Sequence, residues 1–174
     1  MPQLLMISGS LRRASLNTKL VQEAGRFWPG AAIMADIAMP LYNGDDEDAN
    51  GVPPEAVALT AAISNADAVA IATPEYNQSF PGGLKNALDW VSRTPDKPWL
   101  DKPVALMSAA AGRAGGARAH YAMRLALNPF QPRLLTGPEV MVAGASKEFS
   151  EDGTLTNERY RETLSALMQK LASS

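Results

Sequence analysis

Residues with phosphate-binding potential are concentrated in one short loop near the start of the chain. This loop is rich in serine, contains two adjacent arginines and reads Ser8-Gly9-Ser10-Leu11-Arg12-Arg13-Ala14-Ser15-Leu16-Asn17. Hydroxyl and amide groups donate hydrogen bonds, and a guanidinium pairs with two phosphate oxygens at once. A helix that begins directly after the loop would add free N–H groups and the positive end of its dipole. The sequence therefore predicts a phosphate monoester site formed by Ser10, Arg12, Ser15, Leu16 and Asn17.

The same loop also has a simpler interpretation. Ser15 could merely cap the following helix, with Arg12 and Arg13 in solvent. The loop has neither the Gly-x-Gly-x-x-Gly pattern of dinucleotide-binding folds nor the Gly-x-x-x-x-Gly-Lys pattern of nucleoside triphosphatases. Its position after the first strand of the chain favours phosphate binding.

A second loop combines prolines, aromatic residues and amides. It reads Thr73-Pro74-Glu75-Tyr76-Asn77-Gln78-Ser79-Phe80-Pro81-Gly82 and leads into a helix. Prolines and aromatic rings restrict such a loop, while its backbone amides stay free to face a ligand. A flat heteroaromatic ring such as an isoalloxazine, with donors and acceptors along one edge, matches this kind of surface.

Both loops follow short apolar strands within a regular alternation of strands and helices. The patterns predict strands at Leu4–Ile7, Ala32–Ile37, Asp67–Ala72, Val104–Ser108 and Glu139–Val142. They predict helices at Asn17–Phe27, Pro54–Ala66, Gly82–Ser92, Gly116–Leu127 and Asn157–Ala172. The acidic stretch Asn43–Asn50 and the segment Pro95–Pro103 are predicted to be surface loops, the acidic one with solvated carboxylates.

Apolar strands separated by helices indicate a parallel sheet covered on both faces. We expect one α/β domain over residues 1–174, a flavodoxin-like three-layer α/β/α fold whose five parallel strands have the order 2-1-3-4-5. In that order, the loops after the first and third strands meet where the connections reverse direction, and open α/β sheets bind ligands there. The phosphate and the ring would then share one crevice.

Composition narrows the function further. The chain has no cysteine, which excludes thiolate metal sites, iron–sulfur clusters and a cysteine nucleophile. Redox chemistry would therefore need a bound cofactor. Its net charge is −2. Without a basic run we expect neither nucleic acid nor a membrane as partner. Because Met1–Leu5 resembles no signal peptide and no apolar run approaches a membrane span, we expect a cytoplasmic protein.

Together, these motifs resemble the NADPH-dependent FMN reductase family, and most closely its branch of bacterial quinone, chromate and azo-dye reductases. The resemblance rests on the following segments: Gly9-Ser10-Leu11-Arg12 with Ser15 and Asn17, Pro74-Glu75-Tyr76-Asn77, Pro81-Gly82 with Leu84-Lys85-Asn86-Ala87-Leu88-Asp89-Trp90, and Gly115-Gly116-Ala117-Arg118. It implies that the first-loop residues hold the FMN phosphate and that residues 74–77 contact the isoalloxazine ring and ribityl chain. It also implies that Ser108 and Gly112, after the fourth strand, flank the ring.

The resemblance implies a catalytic cycle as well. NADPH, or alternatively NADH, would reduce FMN by hydride transfer, and a quinone, chromate, azo or similar small acceptor would then take its place in a ping-pong cycle. No catalytic side chain is needed, and the sequence shows no separate motif for the 2′-phosphate of NADPH. The alternative is a flavodoxin-type electron carrier or a flavin-binding module without NAD(P)H oxidation.

The family also implies a homodimer or homotetramer in which the helix after the second loop packs across a two-fold axis. Trp90 and Val91 are candidates for that contact, with burial inside the protomer as the open alternative. His120 is the only histidine, and we expect it on a helix surface.

Overall fold

A computed structural model of residues 1–174 is built around one parallel β-sheet. Its strands are β1 (Gln3–Ser8), β2 (Ala31–Met34), β3 (Ala68–Thr73), β4 (Pro103–Ala109), β5 (Arg133–Leu134) and β6 (Val140–Val142). The strand order is β2-β1-β3-β4-β5, and β6 also pairs with β4. This confirms the predicted order 2-1-3-4-5, with one strand more than the five expected.

The additional strand arises because two short strands share one edge of β4. Residues of β5 pair with Pro103 and Val104 at the start of β4, and residues of β6 pair with its end, from Met107 to Ala109. Since β3 occupies the other edge of β4, β5 and β6 follow one another along the same edge. The predicted last strand corresponds to β6, whereas β5 is too short to leave a pattern in the sequence.

Helices cover both faces of this sheet. They are α1 (Leu16–Arg26), α2 (Gly44–Asn50), α3 (Pro54–Asn65), α4 (Gly82–Val91), α5 (Ala117–Leu127) and α6 (Glu158–Ala172). Leu4 and Met6 of β1 pack with α1 and α6, and the alternate residues Leu5 and Ile7 pack with α3, α4 and α5. Both sides of each central strand are therefore buried, which confirms the three-layer, flavodoxin-like prediction. None of the helices has both the length and the hydropathy needed to cross a membrane.

The acidic stretch is a helix, so the prediction of a loop there is wrong. Asn43 caps α2, because its side-chain oxygen accepts a hydrogen bond from the N–H of Asp45 at 3.1 Å. Asp45, Asp46 and Glu47 then lie in the first turn, where negative charge is stabilised by the helix dipole. No residue of α2 is buried, so its sequence lacks the apolar stripe by which a helix is usually detected.

Two further predicted boundaries need correction. The second strand ends at Met34 instead of Ile37, although the N–H of Ala35 still donates to the carbonyl of Met6 at 2.8 Å. Segment Pro95–Pro103 is not a plain surface connection, since Trp99 is 2% exposed and packs in the core beside α4 and α5. An indole of this size contributes too much apolar surface to be left in water.

The residues considered for a subunit contact lie inside the protomer. Trp90 is 2% exposed and Val91 is 1% exposed. The indole N–H of Trp90 donates to the carbonyl of Pro40 at 2.8 Å, and its ring packs edge-on against Tyr42 with the centroids 5.0 Å apart. Of the two alternatives for these residues, the structure shows burial within one chain.

His120 is fully buried, so the prediction of a surface position is wrong. It shares the inner side of α5 with Ala119, Met123 and Leu127. Its Nε2 accepts a hydrogen bond from Nε of Arg124 at 3.3 Å, which leaves the proton of the neutral ring on Nδ1, an atom without a partner. Burial, and secondarily the charge of Arg124, lower the pKa of His120 from 6.5 to about 4.

This buried imidazole gives the fold a pH dependence. The folded protein accommodates neutral His120, whereas the unfolded chain takes up a proton at its ordinary pKa of 6.5. The protonation of His120 therefore costs no stability well above pH 6.5, and it lowers the free energy of unfolding as the pH falls from 6.5 toward the folded-state pKa of about 4. The expected loss at about pH 5 is about 2 kcal/mol in the free energy of unfolding.

Urea denaturation at pH values between about 8 and 5 measures this loss. The matched variant His120→Gln has no titrating ring and should show a flatter profile over the same range. Parallel decreases in the two proteins would contradict the assignment to His120.

Candidate cofactor-binding site

Three loops come together at the carboxyl edge of the sheet. The first loop (residues 9–15) follows β1, the second loop (residues 74–81) follows β3, and the third loop (residues 110–116) follows β4. The strand ends are directly adjacent, since Ser8 pairs with Ala72 and Thr73 pairs with Ser108. The predicted meeting of the loops after the first and third strands is thus present, and the third loop adjoins the second.

The first loop leads into an open helix N-terminus. Ser15 is the N-cap of α1, and its hydroxyl oxygen accepts a hydrogen bond from the N–H of Thr18 at 3.2 Å. The next two N–H groups, of Leu16 and Asn17, donate to no group in the chain, and the first turn carries no acidic residue. Ser15 does cap the helix, as the simpler interpretation held, yet two N–H groups and the hydroxyl hydrogen remain for an anion.

Serine side chains shape the backbone before this helix. The N–H of Ser10 donates to the hydroxyl of Ser8 at 3.3 Å, and the N–H of Arg12 donates to the hydroxyl of Ser10 at 3.3 Å. Thr18 also donates its hydroxyl to that of Ser8 at 2.8 Å. Arg12 itself is exposed and takes part in no ion pair, so its guanidinium is available to a phosphate.

Gly9 marks a close approach between the first loop and the second. Its N–H donates to the carbonyl of Ala72 at 2.8 Å. A Cβ atom here would lie 3.0 Å from Cδ2 of Leu84, 3.2 Å from Oγ1 of Thr73 and 3.4 Å from Cδ of Pro74, the first residue of the second loop. The absence of a side chain thus lets the two loops meet.

The second loop is folded into a tight turn. The N–H of Tyr76 donates to the carbonyl of Ser79 at 2.8 Å, and the reverse bond measures 3.1 Å. Between them, Asn77 and Gln78 both have positive φ angles, of 49° and 69°, as in the two-residue turns of β-hairpins. Tyr76 is 45% exposed, so its ring is accessible to a ligand, whereas Pro74 is buried and its carbonyl accepts a hydrogen bond from the hydroxyl of Thr73 at 3.0 Å.

Glu75 joins the second loop to the helix after the third. Its Oε2 accepts a hydrogen bond from the N–H of Arg118 at 3.0 Å, and its Oε1 lies 3.5 Å from the guanidinium of the same residue. Gly116, the N-cap of α5, has no side chain to cap the helix. The Glu75 carboxylate takes over that role from another part of the chain, which leaves the backbone of Glu75 for the predicted contact with a ring.

Asn17 joins the first helix to the end of β4. Its amide nitrogen donates to the carbonyl of Ala109 and its amide oxygen accepts from the N–H of Ala109, each at 2.9 Å. The side chain is 3% exposed. In this structure the amide of Asn17 bonds to β4 and its backbone N–H has no partner, so the predicted phosphate contact of Asn17 stays a prediction that this N–H can meet.

The third loop is held by hydrogen bonds within itself, to the end of β4 and to Gly144. The hydroxyl of Ser108, a fully buried residue, donates to the carbonyl of Gly115 at 2.7 Å. The carbonyl of Gly112 accepts hydrogen bonds from Gly115 at 3.3 Å and from Gly144 at 3.2 Å. The Ser108 side chain is thus used inside the loop, whereas Gly112 is exposed and a Cβ atom there would meet no other atom within 4 Å.

Comparison with known proteins identifies the family. The sequence model of the NADPH-dependent FMN reductase family matches residues 2–147, a range that includes all three loops. The chain belongs to this family. This confirms the predicted family and the predicted enzyme class, which is oxidoreductase.

Individual members of the FMN reductase family agree with this assignment. The chain is 45% identical to the NAD(P)H-dependent FMN reductase of Pseudomonas aeruginosa over 172 residues, which cover 97% of this chain and 92% of that protein. It is 39% identical to the quinone reductase of Escherichia coli K12 over 143 residues, 80% of this chain and 76% of that one.

A solved structure gives the same result for the fold. The flavoenzyme NAD(P)H:(acceptor) oxidoreductase FerB of Paracoccus denitrificans superimposes with a TM-score of 0.89 at 30% sequence identity. The alignment covers 99% of this chain and 96% of that structure. The two proteins therefore share their architecture over nearly the whole length of both chains.

Proposed function

We propose that this family member binds FMN between the three loops and oxidises NAD(P)H in a ping-pong cycle, with a quinone, chromate, an azo compound or a similar small molecule as acceptor. The observation that carries the proposal is the open N-terminus of α1, where the N–H groups of Leu16 and Asn17 are unpaired beside an unpaired Arg12. These are the donors that a phosphate monoester requires.

The remaining loop residues fit the other parts of FMN. Tyr76 and the backbone of residues 74–77 would line the ring and the ribityl chain, and the open space at Gly112 admits a ring edge close to the backbone. FMN held by these loops would supply two-electron chemistry, in which the hydride from the nicotinamide leaves as two electrons and one proton, the electrons passing to the acceptor and the proton to the acceptor or to solvent. The loops would orient both partners. His120, the only histidine, is fully buried, so it is no ready proton donor.

Assembly into dimers or tetramers in the cytoplasm belongs to the same proposal. Two leucines beside α4 are strongly exposed, Leu11 at 63% and Leu41 at 79%. Leu11 lies 3.9 Å from the Cβ position of Gly83, and the residue after Leu41 is held by the side chain of Asn86. These two exposed leucines beside α4 are the apolar side chains that we assign to the contact between subunits.

The replacement Arg12→Ala tests the phosphate assignment. Loss of a charge-assisted hydrogen bond is expected to weaken FMN binding about 30-fold, or about 2 kcal/mol. Fluorescence quenching of FMN by flavin-free protein measures the dissociation constant. The control Arg159→Ala removes an exposed arginine of α6 and should keep the original affinity. An unchanged dissociation constant in the Arg12 variant would remove this arginine from the site.

The proposed activity has a direct spectroscopic test. The flavin absorbance of the purified FMN complex should bleach on anaerobic addition of NADPH or NADH and return on addition of a quinone. A flavodoxin-type carrier or a flavin-binding module would keep its oxidised spectrum with the nucleotide alone.

A further inference from the structure

The third loop has an unusual composition. It consists of three alanines, three glycines and Arg113, so this arginine is the only side chain of the loop that extends beyond a methyl group. Arg113 is exposed and forms no ion pair. A single cationic side chain therefore stands among residues that leave the surrounding space open.

The backbone below Arg113 is held firmly. The N–H of Ala110 donates to the carbonyl of Val142 at 3.1 Å, and the carbonyl of Ala110 accepts from Ala145 at 3.0 Å. The carbonyl of Gly112, the neighbouring residue, accepts the two hydrogen bonds described above. The loop is thus a fixed support for one long, charged side chain, which lowers the entropic cost of using that side chain to hold a ligand.

Charge is distributed unevenly around the crevice. The first loop carries Arg12 and Arg13, the third carries Arg113, and the only acidic residue of the three loops, Glu75, is paired with Arg118. The whole chain has a net charge of −2, so this edge is positive against a negative background. The phosphate of FMN at α1 would neutralise the first loop, which leaves Arg113 uncompensated in the third loop.

We propose that Arg113 binds the 2′-phosphate of NADPH and makes the enzyme prefer NADPH to NADH. This inference rests on the proposed function. The two nucleotides differ only in that dianionic group, for which a guanidinium provides paired donors. With the nicotinamide stacked on the ring, the adenosine part would extend over one of the surrounding loops, and Arg113 is the exposed arginine of the third loop without an ion pair.

The variant Arg113→Gln tests the inference. The KM for NADPH should rise about tenfold, whereas the KM for NADH and the kcat with either nucleotide should change less than about twofold. A second readout is independent of turnover: calorimetry of the FMN complex with 2′,5′-ADP and with 5′-AMP. Wild-type protein should bind 2′,5′-ADP more tightly, and the variant should bind the two ligands equally.

Lys97→Gln provides the matched control, because it removes one exposed positive charge before β4, at the opposite edge of the sheet. It should retain the wild-type preference. Equal KM changes for both nucleotides in Arg113→Gln, or none, would overturn the assignment, as would a change confined to the KM of an anionic acceptor such as ferricyanide. Failure of the proposed function itself is recognised separately, since wild-type flavin would then bleach with neither nucleotide.

Discussion

The replacement Asn17→Ala is expected to lower the free energy of unfolding by about 4 kcal/mol. The side chain of Asn17 is 3% exposed and satisfies both backbone groups of Ala109, each through a hydrogen bond of 2.9 Å. Alanine would leave a donor and an acceptor of β4 buried without partners, and each such group costs about 1–3 kcal/mol.

Urea denaturation of the flavin-free protein, followed by circular dichroism, measures this effect. Asn65→Ala is the matched control, since Asn65 is exposed at the end of α3. It should change stability by less than about 0.5 kcal/mol. A similar small change for Asn17→Ala would mean that the two hydrogen bonds contribute little to the fold.

The second large effect is expected at Gly115. This residue has a φ of +60°, and a Cβ atom would lie 2.6 Å from the carbonyl oxygen and 2.7 Å from the carbonyl carbon of Met141. Both contacts are with the backbone of β6, which cannot rotate away as a flexible side chain would. Gly115→Ala therefore combines left-handed strain with overpacking, and about 3 kcal/mol of stability should be lost.

Gly112→Ala is the internal comparison for Gly115. It introduces the same methyl group in the same loop, where no atom lies within 4 Å. Thermal unfolding of the two flavin-free variants should separate them by several degrees, with the Gly112 variant close to wild type. Equal melting temperatures would show that the third loop can move away from β6 at little cost.

The central part of the fold could be predicted because its signal is local. Strands β1, β3 and β4 are continuous apolar runs, and loops rich in glycine, proline and serine follow them. The short acidic helix α2 and the two-residue strand β5 lack such a signal, since neither buries a patterned apolar face. Their formation depends on capping and on pairing with a completed sheet.

The sequence did not show which side of α5 is buried, for a similar reason. Large apolar residues occur on both sides of this helix, with Met123 buried and Leu125 76% exposed. The periodicity of apolar residues along α5 therefore could not show whether His120 is buried or exposed. Only packing against the finished sheet buries it.

The candidate site was also predictable only in part. The positions of the two loops followed from the strand order, but the functions of individual side chains did not. Asn17 bonds to a residue 92 positions away, and Glu75 bonds to one 43 positions away. A single sequence contains no trace of such pairings, so residues that join the loops to one another were expected to contact the cofactor directly.

The division of the last sheet position between β5 and β6 also affects how the molecule behaves at high concentration. An uninterrupted edge strand is a template on which a strand from another molecule can grow, and such growth leads to aggregation. Here the edge offers a run of only two residues in β5 and three in β6. A foreign strand would find too few consecutive partners for lasting attachment, so this interruption protects the protein against polymerisation through this edge of its sheet.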